Sequence, residues 1–133
     1  MTFRVLMLAS LFLFPLAAPA ASGSWSGTSA GGSVSVGGQI LSSRPLNPTL
    51  PAGARLSRIS WRISLLSPPP PGLQIKLCSQ NRCVLLDSLS GNKQVTTSLT
   101  ASGPFYFVYS VERRGQLAPA LNVIKNQLTI NYY

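Results

Sequence analysis

The sequence has no histidine, two acidic residues and two cysteines among its 133 residues. Each shortage removes a class of chemistry. Without histidine no serine or cysteine nucleophile can be activated by imidazole, and the commonest metal ligand is missing. Glycosidic cleavage needs a pair of carboxylates flanking the scissile bond. Asp87 and Glu112 are the sole carboxylate side chains. Asp87 ends a strand and Glu112 opens a turn beside Arg113 and Arg114, so both have structural explanations. Two thiols with no histidine and no further cysteine cannot complete a tetrahedral zinc site. No glycine-rich phosphate loop follows a strand, and no helical period or internal repeat runs through the chain. The expectation is a protein without catalytic residues, metal or cofactor.

What is present begins with a leader. Met1–Ala20 carries Arg4, an apolar run from Val5 to about Leu16, and Ala18-Pro19-Ala20, the small-x-small pattern that signal peptidase reads. The apolar run is shorter than the ~20 residues that span a bilayer. The expected organisation is therefore a cleaved secretory signal over 1–20 and one all-β domain over 21–133. The destination would lie outside the cytoplasm, with no membrane span after processing. In that oxidising compartment Cys78 and Cys83, with four residues between them, read as a structural disulfide.

The stretch around those cysteines is the most informative. Leu73, Ile75 and Leu77 alternate with Gln74, Lys76 and Cys78, the two-residue period of a half-buried strand. A polar turn, Ser79–Arg82, separates the cysteines. Setting Cys78 opposite Cys83 places Leu77 against Val84, Lys76 against Leu85, Ile75 against Leu86 and Gln74 against Asp87. Two of these pairs join branched apolar side chains on one face, and a one-residue slip would undo both.

Elsewhere Ala21–Gly38 reads as a loose, Ser- and Gly-rich start anchored by Trp25, leading into a strand over Ser33–Leu41 interrupted at Gly37-Gly38 by a bulge or close backbone approach. Arg44–Gly53, with three prolines, is a connection. Arg58–Leu66 alternates cleanly, with Ile59, Trp61, Ile63 and Leu65 on one face. Pro68–Pro71 is a stiff extended spacer. Ser88–Lys93 reads as a turn and Val95–Leu99 as a polar strand. Phe105–Val111 turns Phe105, Phe107, Tyr109 and Val111 inward. The apolar phase then changes between Val123 and Leu128, which calls for a turn or bulge near Lys125–Gln127. About seven short strands with Gly and Pro punctuation indicate a small antiparallel β-sandwich, or a partly open barrel.

Charge suggests the partners. Eleven Lys and Arg against two acids give +9, and loss of Arg4 with the leader leaves +8. An exported basic domain meets acidic surfaces, and nucleic acid is not expected outside the cytoplasm. Arg82 at the hairpin turn and Arg113 and Arg114 at a later turn are candidate partner-binding cations. Trp25 and Tyr106 are candidate aromatic contacts, whereas Trp61 lies on an apolar face and belongs to the core.

Around the hairpin the sequence resembles the FlhE family of flagellar periplasmic proteins. The matching residues are Gly72-Leu73, Leu77-Cys78-Ser79-Gln80, Arg82-Cys83-Val84, Leu86-Asp87 and Ser90-Gly91. Trp61-Arg62 belongs to the same set, as do Gly115, Leu117, Pro119-Ala120-Leu121, Val123, Asn126-Gln127 and Asn131-Tyr132 near the end. The longer proline run and the extra Tyr133 depart from the family pattern. The resemblance implies a small all-β periplasmic protein of the flagellum with no enzymatic activity. It implies action at the basal body, rod or export apparatus, by chaperone-like control of rod assembly or prevention of proton leakage. A monomer is expected. The alternatives are a fimbria-like subunit, with Ser33–Val36 as a donated strand and Tyr132 penultimate, and a wall- or carbohydrate-binding sandwich.

Overall fold

A computed structural model describes residues 22–95, 99, 101 and 103–133. The leader therefore lies outside the described residues, as do 96–98 of the strand expected over Val95–Leu99. Among the described residues nine strands are formed: β1 (Gly23–Ala30), β2 (Ser33–Val36), β3 (Ile40–Ser42), β4 (Leu56–Leu65), β5 (Leu73–Ser79), β6 (Arg82–Leu86), β7 (Ser90–Gln94), β8 (Phe105–Val111) and β9 (Gln116–Tyr132). They make two antiparallel sheets. One has the order β1-β9-β4-β7, with β2 also on β9, and the other β3-β8-β5-β6. The result is the expected sandwich and not a closed barrel.

Period-two patterning builds the core. β8 alternates between buried Phe105, Phe107, Tyr109 and Val111 and half-buried residues facing out. Ile75, Leu77 and Leu86 supply the same sheet's inner face, and Ile59, Trp61, Ile63, Leu121, Leu128 and Ile130 the other's. Trp61 is buried, and its indole N–H donates to the Ser88 carbonyl at 2.8 Å, which satisfies its polar end.

The hairpin forms in the expected register: Ile75 opposite Leu86, Lys76 opposite Leu85, Leu77 opposite Val84 and Cys78 opposite Cys83, joined as a disulfide. Its turn is tighter than expected. Ser79 pairs with Arg82, so Gln80 and Asn81 alone make the corner, and Gln80 adopts φ 55°. The ladder ends at Ile75–Leu86, and Gln74 and Asp87 do not extend it.

Three segments depart from the sequence expectation. Gly23–Ala30 is not loose but pairs residue for residue with Lys125–Tyr132. Gly37-Gly38 makes the close backbone approach read from the sequence, where the chain turns from β2 into β3: an added Cβ at Gly37 would lie 1.5 Å from the Arg113 carbonyl oxygen. Ser90–Gln94, expected as a turn, is the strand β7 beside β4. The phase change in β9 falls at Ile124-Lys125, both exposed, within an unbroken strand. There the register with β4 shifts from Ser64–Lys125 to Leu65–Val123.

Candidate functional site

β8 separates the candidate residues. Arg82 pairs with Ser79, which pairs with Phe105 at the start of β8, whereas Arg113 and Arg114 follow Val111 at its end. Six strand steps, roughly 20 Å, lie between Phe105 and Val111. All three arginines are exposed. The candidate cations therefore lie at opposite ends of β8 and form no common patch.

Tyr106 lies opposite Cys78 on the outward face of its sheet. Its hydroxyl donates to the Gln80 carbonyl at 3.3 Å, so the ring arches from β8 to the hairpin corner. Trp25 is half-buried and packs against the core from β1. An added Cβ at Gly27 would lie 2.4 Å from its ring, so the indole lies along its own strand over a residue without a side chain. Trp25 and Tyr106 belong to different sheets and form no common platform. Among the described residues no group of three or more Cys, Asp or Glu side chains could hold a metal, and no helix is long and apolar enough to cross a membrane.

The sheet edges differ in protection. An open edge presents unpaired N–H and C=O groups, which proteins blunt with short strands, charges or proline. β3 has three residues. β6 starts at Arg82, and its Leu85 carbonyl accepts a hydrogen bond from Lys93 Nζ at 3.1 Å. β7 carries that same Lys93. The fourth edge is β1 followed by β2, both on one side of β9. Between Ser22 and Ser43 the chain has no charged residue and no proline. The Ala30 carbonyl accepts from Arg44 N–H at 3.3 Å and not from β9. By the alternation of an antiparallel ladder, Ser24, Ser26 and Thr28 also turn their backbone groups to the open side. The inner face of β1 offers Gly23, Trp25, Gly27 and Ser29, so a single large side chain fastens it to the core. The absence of charge over 22–43 was legible in the sequence, but that β1 and β2 within it line up along one side of β9 was not.

The outward face of that sheet is polar over three successive rows, with exposed Ile124 beyond them. Across its strands one row is Ser24, Asn131, Arg58 and Gln94. The next is Ser26, Thr129, Ser60 and Asn92, and the third Thr28, Gln127, Arg62 and Ser90. Lys125 follows opposite Ser64. Arg58 Nη1 donates to Asn92 Oδ1, and the Ser26 and Thr129 hydroxyls share a hydrogen bond of 2.7 Å. Ser33–Val36, considered above as a donated strand, is paired with β9 of its own chain.

Known proteins with the same pattern are flagellar. The family model described as "Flagellar protein FlhE" matches residues 31–133. The flagellar protein FlhE of Escherichia coli K12 is 37% identical over 126 residues, covering 94% of this chain and 97% of the relative. That of Salmonella typhimurium LT2 is 40% identical over 124 residues, covering 92% and 95%. That of Yersinia enterocolitica is 38% identical over 133 residues, covering 97% and 94%. A solved structure titled "Crystal Structure of FLHE" superposes with a TM-score of 0.77 at 38% identity, covering 85% of this chain and 98% of that one. With a family model spanning 31–133, relatives 37–40% identical over most of the chain and a superposing structure, the chain belongs to the FlhE family of flagellar proteins.

Proposed function

We propose that this chain is a non-enzymatic accessory protein of the flagellum, exported to the periplasm with loss of residues 1–20. There it acts as a monomer at the basal body or export apparatus, in chaperone-like control of rod assembly or prevention of proton leakage. The observation that supports this reading is the β1–β2 edge. It is long, free of charge and proline, and open at Ser24, Ser26 and Thr28, whereas the other three edges are short or carry cations. An edge of this kind accepts an extended segment of another protein as an added strand, with main-chain hydrogen bonds supplying affinity. Flagellar subunits awaiting assembly are the partners that family membership suggests.

The test is complementation of a deletion strain. Ser26→Pro removes one outward N–H and spares the β9 ladder, which proline at such an edge position allows. The wild-type gene should restore flagella and a tight envelope, and the exported, folded Ser26→Pro protein should not. Normal flagella without the gene, or full rescue by Ser26→Pro, overturns the proposal. Intact mass of the periplasmic protein should place its N-terminus at Ala21.

A further inference from the structure

The outward face of the β1-β9-β4-β7 sheet is a second surface, distinct from the edge. The geometry points to a carboxylate-bearing glycan strand as its ligand, laid along β4. Ser60 and Arg62 of β4, Gln127 and Thr129 of β9 and Asn92 of β7 line a surface pocket, and Arg58 lies on the other side of Ser60 along the strand. The arginines point the same way four residues apart, about 13 Å. Lys125 continues the line past Arg62 on the neighbouring strand. No acid faces them, since Asp87 lies between β6 and β7 and Glu112 follows β8.

The side chains are set in advance of binding. Asn92 holds the Arg58 guanidinium and Ser26 holds the Thr129 hydroxyl, so less rotamer freedom is lost when a ligand arrives. The cations select carboxylates, and the amides and hydroxyls both donate to and accept from sugar hydroxyls. The same composition disfavours a protein partner. A protein interface needs an apolar, desolvated centre, and no outward side chain in these rows is apolar.

Titration of the purified chain with polygalacturonate tests the inference. Binding should weaken as salt rises, since exposed charges carry it. Amide shifts should change at Ser60, Gln127 and Thr129 and not at the hairpin. Arg58→Gln with Arg62→Gln should lower affinity about tenfold, and Lys76→Gln with Arg82→Gln, which removes equal charge on the other sheet, by less than about twofold. Circular dichroism checks that both variants are folded. Three results overturn the inference: no binding at low salt, equal losses in the two double variants, or equally tight binding of polyglutamate, duplex DNA or anionic vesicles at this face.

Discussion

Tyr109 of β8 donates its phenolic proton to Asn126 Oδ1 of β9, joining the two sheets through the middle of the core. Both residues are fully buried, at 0% exposure. Asn126 reaches the core because the bulge at Ile124-Lys125 reverses the phase of β9, turning inward a residue that unbroken alternation from Val123 would turn out. Its Nδ2 makes no hydrogen bond, and neither does the Oγ of Ser29, its register partner on β1. A buried polar group without a partner is costly, so the Tyr109 bond is the interaction that makes Asn126 tolerable there.

Removing that hydroxyl should hurt more than the bond alone suggests. Tyr109→Phe leaves both ends of the Asn126 amide unpaired, and urea unfolding should show a loss of about 1–3 kcal/mol. Adding Asn126→Leu should recover part of it, because no buried amide then remains. A double-mutant cycle in which the two losses simply add would show that the bond does not couple the sheets.

The same tyrosine gives stability an alkaline limit. Burial holds the Tyr109 phenol well above its ordinary value of 10.0. Above that pH the unfolded chain releases this proton and the native one keeps it, so the native state binds more protons. Stability contributed by this group is complete below about pH 10 and is lost as pH rises. Unfolding free energy measured from pH 8 to 11 should fall more steeply in the wild type than in Tyr109→Phe. Parallel profiles would contradict the burial argument.

For the hairpin, the disulfide should matter less than the packing beneath it. Cys78 and Cys83 are five residues apart, and closing so short a loop is worth only about 2 kcal/mol. Cys78→Ser with Cys83→Ser should lower the melting temperature and leave a folded β protein by circular dichroism. Leu77, fully buried between Val84 and Phe107 in register, is different. Leu77→Asp buries an unpaired charge and should unfold the domain. The reverse order of severity would contradict the packing described for this sheet.

Gly37→Ala addresses the end where the β2–β3 turn meets the β8–β9 loop. The added methyl falls on the Arg113 carbonyl, which is backbone and cannot rotate away. A loss of about 1–3 kcal/mol is expected from such overpacking. It should come with altered amide shifts over 112–115, because Gly37 N–H donates to the Gly115 carbonyl at 2.8 Å. Gly53→Ala, where an added Cβ has open space but φ is 78°, should cost less. Equal costs would mean that the two loops move apart and relieve the collision at Gly37.

The elements legible in the sequence are those whose cause is local. Alternation of Leu73, Ile75 and Leu77, two cysteines and a short polar corner specify the β5–β6 register, because a hairpin brings together residues already close along the chain. The inward sets of β4 and β8 follow from the same period, since successive side chains of a strand must take opposite faces. Even the change of phase in β9 could be seen, although not that the strand runs through it.

Tertiary structure decided what depends on a distant partner. Gly23–Ala30 has one large side chain and no strand propensity to speak of, yet it is regular because β9 offers it a complete row of backbone partners about a hundred residues away. Ser90–Gln94 became a strand for the same reason, beside β4. The burial of Asn126 required the bulge and a tyrosine from the other sheet. Whether Arg82 and Arg113 share a face depended on β8 lying between them, and whether the charge-free stretch forms an open edge depended on where β1 and β2 dock. Side-chain direction repeats every two residues and can be read along one strand, but the neighbour of a strand is chosen by contacts far apart in sequence.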